Sequence, residues 1–177
     1  MKNLIALTLL TLSLLAPATN ALPHDLDRLR LKDQHDTPVK IPTDTRYVVF
    51  AHDMSSKDLV EEWLESKDDG FMKNNRIVYV VNISGMPRII ARMFAFPALR
   101  KLPYQVIIDE VGQKTGDWET RDSAVSVFTV KDLSVTDTAF IDDSAELDAL
   151  ISGKETASAA EQPAPDAAEE SATAPAE

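Results

Sequence analysis

His52, Asp53, Ser55 and Ser56 crowd into one short stretch of the chain. An imidazole, a carboxylate and two hydroxyls are the parts of a hydrolytic set. The hydroxyl attacks, the imidazole takes its proton, and the carboxylate orients the imidazole. The same residue types also serve a helix start, where a serine caps the free N–H groups and an aspartate favours the positive end. A third use is a binding surface without catalysis. Neighbours in one turn rarely aim at a common centre, and no G-x-S-x-G elbow is present. Capping by Ser55 or Ser56 is therefore the expected role, and no residue is assigned to catalysis.

Composition removes other chemistries. The chain has 177 residues and no cysteine, which excludes a disulfide, a thiol nucleophile and any Cys-ligated metal. Its five glycines form neither a phosphate-cradling loop nor a dinucleotide fingerprint. His24, His35 and His52 lack the spacing of a metal pair, and Asp33, His35 and Asp36 read as turn residues. No metal and no cofactor is expected. With 18 Lys and Arg against 29 Asp and Glu, the net charge of -11 gives phosphate backbones no reason to bind, so nucleic acid is not a partner.

These residues must be held by something, and hydrophobic patterning supplies it. Leu29 to Leu31 and Val39 to Ile41 flank a polar stretch and predict a short hairpin. Arg46 to Ala51, Arg76 to Asn82 and Tyr104 to Asp109 are apolar runs of the kind found in strands buried on both faces. Between the first two, Leu59, Val60, Trp63 and Leu64 recur at helical spacing up to about Lys67. Between the second and third, a helix should open at Pro87, bury Ile89, Ile90, Met93 and Phe94, and kink or end at Pro97. Ala124 to Val130 and Val135 to Ile141 alternate as an antiparallel pair. Asp142 or Asp143 then caps a last helix.

Two parallel crossovers followed by an antiparallel hairpin predict a mixed central sheet with helices on both faces, preceded by a hairpin. With Leu31-Lys32-Asp33-Gln34-His35-Asp36 as the opening hairpin, and Lys101-Leu102-Pro103-Tyr104 ahead of a strand, the chain resembles the thioredoxin-like proteins over about Leu29 to Ile151. The resemblance implies a three-layer α/β sandwich, with Pro103 at the family's cis-proline facing the first βα turn across the sheet's carboxyl edge. It departs from the family where the Cys-x-x-Cys pair would stand, at Ala51 to Lys57. The chain is similar to small periplasmic thioredoxin-like proteins of Gram-negative bacteria. Similar chains sometimes carry the label of FAD/FMN-containing dehydrogenase, a label no flavin fingerprint in these residues supports.

Ile83 to Leu102 carries Arg88, Arg92, Arg100 and Lys101, a positive patch in an acidic chain. Arg88, Arg92 and Phe96 are expected to face outward, either as a solvated helix face or as a docking surface for a protein partner or anionic group. Trp118 is expected to cover an open end of the sheet or to close over the Pro103 edge.

The ends read as address and solvation. Lys2 followed by the apolar run Leu4 to Leu15 and small residues to Ala21 predicts a cleavable export signal over residues 1–21. Residues 22–153 form the folded domain. Residues 154–177, rich in Ala, Pro and Glu, lack the apolar surface to fold and predict a disordered acidic tail. The expectation is a periplasmic protein without stable membrane insertion after cleavage. It would be redox-inactive and act as a binding or adaptor module for a protein or peptide. The alternative is an enzyme independent of cysteine, a flavin-linked oxidoreductase or a small hydrolase, using the first βα loop.

Overall fold

The computed structural model describes residues 26–153. The expected export signal and acidic tail lie outside the described residues. The chain runs from a 3-10 turn, Leu26–Arg28, through β1 (Leu31–Asp33), β2 (Pro38–Val39) and β3 (Tyr47–Ala51) to α1 (Met54–Glu65) and α2 (Phe71–Asn74). Then follow β4 (Ile77–Asn82) and a helical segment in three registers: α3 (Arg88–Ile90), a π turn (Ala91–Ala95) and α4 (Phe96–Leu99). β5 (Val106–Asp109), β6 (Val125–Lys131), β7 (Ser134–Ile141) and α5 (Ser144–Ile151) complete it.

The strands form one mixed sheet in the order β2-β1-β5-β4-β3-β6-β7. β3, β4 and β5 are parallel, while β6 runs antiparallel to β3 and β7 to β6. The opening hairpin joins the far edge, antiparallel to β5. This is a thioredoxin-like three-layer α/β sandwich with an N-terminal hairpin extension.

Alternation along β3 divides the core. Tyr47, Val49 and Ala51 face one layer; Val48 and Phe50 face the other. The first layer receives Val60, Trp63 and Leu64 of α1, Ala91 and Leu99 of the 88–99 helix, and Leu147 and Ile151 of α5. The second is closed by Leu26 and Leu29 at the 3-10 turn, by Ile41, and by Trp118 from the loop after β5. Helical segments thus flank both faces, but unequally. The reason is topological. β3 to β4 and β4 to β5 step in the same direction across the sheet, and right-handed crossovers taken in one direction deliver their helices to one face.

The π turn has a local cause. Pro97 has no N–H, and its ring crowds the carbonyl four residues back. The chain widens one turn earlier, and the Phe96 N–H reaches the Ala91 carbonyl instead of that of Arg92.

That helix presents the opposite face to the one its large residues predict. Ala91 and Leu99 are buried and Phe96 packs partly against the core. Ile89, Ile90, Met93 and Phe94 are 71%, 43%, 63% and 62% exposed. The expected inward stripe is therefore outside. Small alanines let the helix lie close to the sheet, and the bulky side chains are left pointing away from it.

Candidate functional site

Asp53, not Ser55 or Ser56, caps α1. Its backbone is extended, and its Oδ1 accepts the Ser56 N–H at 2.7 Å. Ser56 answers: its Oγ accepts the Asp53 N–H at 3.1 Å and the His52 N–H at 3.2 Å, and donates to the Asp53 carbonyl at 3.1 Å. This is a capping box, with the serine in the third-residue position. Ser56 is fully buried and its single proton is committed, so it is no nucleophile. Ser55 is exposed on the first turn.

The other Asp53 oxygen does longer-range work. Oδ2 accepts the N–H of Ser123 at 3.0 Å and lies 3.5 Å from Nε2 of His52. Ser123 has φ of 60°, a left-handed conformation uncommon for a residue with a side chain. Burial opposes ionisation of Asp53. Hydrogen bonds from the Ser56 and Ser123 N–H groups, with the nearby His52, outweigh it and hold the carboxyl below its ordinary value. Nδ1 of His52 is buried without a hydrogen-bond partner, and the ring sits 6.3 Å from that of Phe50.

Beside this turn opens a cleft of about 610 Å³. One wall is Asp53, Met54 and Lys57 at the start of α1. The floor is Val81 to Ile83 at the end of β4, and the far wall is Met86, Pro87, Phe94, Ala95, Ala98 and Leu99. It lies at the carboxyl ends of the parallel strands, where open α/β sheets place ligands. Lys57 bridges Asp58 at 3.0 Å and Glu61 at 2.9 Å. Burial disfavours its charge, but these carboxylates win and its pKa is raised.

The loop after β5 is built around a second carboxylate. Buried Asp109 accepts the N–H groups of Gly112, Lys114 and Thr115, each at 2.9 Å, and the Thr115 hydroxyl at 3.0 Å. Gly112 takes φ of 73°, and a Cβ there would meet Ser84 Oγ at 2.5 Å. The loop so fixed delivers Trp118 into the core, edge-on to Phe50 at 4.9 Å and Phe128 at 5.4 Å.

Of the residues singled out in the sequence, His52 and Asp53 meet at the cleft. Arg88 and Arg92 are exposed on the same helix that walls it, and Phe96 is half-buried there, with Arg100 over its ring. Trp118 is buried under the sheet and not at the Pro103 edge.

Pro103 is elsewhere. It precedes β5, which runs parallel to β3 and β4, so it sits at the amino edge of the sheet. The expected position across from His52 is taken by Ser123 and Ala124, ahead of antiparallel β6. Among the described residues no peptide bond is cis, so the Leu102–Pro103 bond is trans. The amino edge is capped by the opening hairpin: Gln34 accepts the Val106 N–H at 2.8 Å and donates to the Tyr104 carbonyl at 2.7 Å, and Arg100 reaches Asp36 at 3.0 Å.

Sequence reading missed Met54, Lys57, Met86, Pro87, Ala95, Ala98 and Leu99 as cleft walls. The signal available was the run of small residues Ala91, Ala95 and Ala98 at helical spacing, of which Ala91 is buried against the core and the other two line the cleft.

No family model matches the chain, and no curated protein does. Among solved structures, similar ones include a secreted Mycobacterium tuberculosis disulfide oxidoreductase, 8% identical with a TM-score of 0.47, covering 73% of this chain and 98% of that one. A putative thioredoxin from Neisseria meningitidis is 12% identical with a TM-score of 0.48, covering 73% and 89%. An uncharacterized thioredoxin-like protein from Porphyromonas gingivalis is 11% identical with a TM-score of 0.47, covering 75% and 93%. The architecture is thioredoxin-like by its own strand order, and a chain without cysteine performs no thiol-based catalysis.

Proposed function

We propose that this chain is a non-enzymatic binding module of the bacterial envelope whose cleft takes an apolar segment of a protein or peptide partner. The observation that carries the reading is the cleft's make-up. Its walls are mostly methionine, phenylalanine, proline, alanine and leucine, with His52, Asp53, Lys57 and Asn82 as the few polar side chains. Apolar lining with a few polar groups suits a side chain anchored in a pocket with its backbone held at the rim. The Ser56 hydroxyl is spent on the helix cap, which supports binding over hydrolysis. The apolar run at residues 4–15 supports export to the periplasm.

Site-directed photocrosslinking tests this in cells. A benzophenone side chain at Met86 should give a discrete crosslinked product, and one at exposed Thr136 on β7 should not. Ala98→Trp, which fills the cleft, should abolish the product. Equal crosslinking at both positions, or a product indifferent to Ala98→Trp, refutes the reading.

A further inference from the structure

Six large apolar side chains are exposed among the described residues: Met54, Ile89, Ile90, Met93, Phe94 and Val111. All six come from the segments that follow the carboxyl ends of the parallel strands. Met54 follows β3, the middle four follow β4, and Val111 follows β5. They mark one end of the molecule, and four of them are near neighbours on one helix, a concentration of exposed apolar surface that marks an interaction site.

Charge specifies what covers it. Ile89, Ile90 and Met93 form an exposed ridge on the 88–99 helix outside the cleft lining, and exposed Phe94 stands where that ridge meets the cleft wall. Arg88 and Arg92 stand exposed among them and make no ion pair among the described residues. Residues 83–103 hold four of the chain's basic residues, Arg88, Arg92, Arg100 and Lys101, and none of its 29 Asp and Glu. Arg100 is paired with Asp36 at the opposite end of the helix, which leaves Arg88 and Arg92 as the free charge beside the ridge. Glu110, next to Val111, bounds the patch on the β5 side. An exposed apolar ridge flanked by unpaired arginines fits the interface of an anionic bilayer, where acyl chains take up the apolar side chains and phosphates meet the guanidinium groups.

We infer that the 88–94 ridge is a peripheral membrane-docking element, which seats Ile89, Ile90, Met93 and Phe94 in the headgroup–acyl boundary of anionic phospholipid with Arg88 and Arg92 on the phosphates. The inference does not depend on the cleft's occupant. A −11 chain would be repelled by such a surface at most orientations, so the acid-free stretch 83–103 also sets which end of the folded domain approaches.

The absence of cysteine permits a position-specific test on the full chain. Met93→Cys and, on the far side of the sheet, Ser134→Cys each carry one environment-sensitive fluorophore. With vesicles of phosphatidylethanolamine and phosphatidylglycerol, the emission at position 93 should shift to the blue and be quenched by nitroxide-bearing lipid, while position 134 stays unchanged. R88Q/R92Q should weaken vesicle binding about tenfold or more, and added salt should do the same. Ile89→Cys provides a second ridge position should Met93→Cys fold poorly, with circular dichroism reporting the fold. No shift at 93 or 89, or equal shifts at 93 and 134 as tethering by another segment would give, overturns the inference. A shift at 93 that needs a protein partner and never appears with vesicles overturns it as well.

Discussion

The Asp53 carboxylate joins two distant parts of the chain: one oxygen caps α1 through Ser56, and the other accepts the Ser123 N–H at 3.0 Å. Ser123 holds its left-handed conformation directly ahead of β6, so this one side chain pins the helix start against the strand that faces it. The turn between β3 and α1 is closed by a cap.

Asp53→Ala should therefore destabilise the fold by about 1–2 kcal/mol, the usual cost of a lost N-cap. The melting temperature should fall by roughly 3–8 °C for a domain of this size. A loss confined to the helix, with Ser123 amide exchange unchanged, would separate the two roles.

The same carboxyl fixes a pH dependence. Its folded pKa lies below the ordinary value, so its contribution is complete above the unfolded pKa of about 3.9 and is lost as pH falls through the folded value. Asp53→Asn keeps a good cap without the charge. Chemical denaturation from pH 7 down to pH 2 should show wild type ahead of Asp53→Asn at neutral pH and the gap closing in acid.

Tyr79 and Tyr104 govern the alkaline side. Burial, then the Glu61 and Glu65 carboxylates, pushes the Tyr104 phenol from 10.0 up to about 12. Burial likewise drives Tyr79 well above its ordinary value. A phenol kept neutral in the fold contributes stability below pH 10 that is lost as pH rises toward the folded value. Tyr104→Phe should flatten the fall in stability between pH 10 and 12.

Tyr79→Phe should be neutral or stabilising by about 1 kcal/mol, because the Tyr79 hydroxyl is buried without a partner and its removal relieves an uncompensated desolvation. A loss of stability in thermal melts would mean the hydroxyl has a bonded water.

Trp118→Ala should cost about 3–5 kcal/mol through the cavity it leaves between Phe50 and Phe128. Trp118→Phe should recover most of it. The native indole should emit as a buried tryptophan and resist aqueous quenchers.

The strands were legible because β3, β4 and β5 are short runs buried on both faces, and such runs stand out by composition alone. The last helix was legible for a local reason too, since Asp143 accepts the Ala145 and Glu146 N–H groups. What failed was relative placement. Periodicity places Ile89, Ile90, Met93 and Phe94 together on a helix but does not say whether that side or the alanine side meets the sheet. Pro103 precedes a strand, as expected, yet which edge it occupies depends on strand order, which no local pattern encodes. The cap failed by a narrower margin. Asp53 and Ser56 both qualify, and the extended backbone at Asp53 decides between them.

The thin second face sets a limit on how the chain can be trimmed. Leu26 and Leu29 are 1% and 6% exposed and close over Val48, Phe50 and Phe128. A peptidase that cut past Leu26 would strip a roof tile from the barer side of the sheet and let water onto the Phe50–Trp118 stack. Any maturation of this protein must stop short of that leucine for the domain to keep its shape.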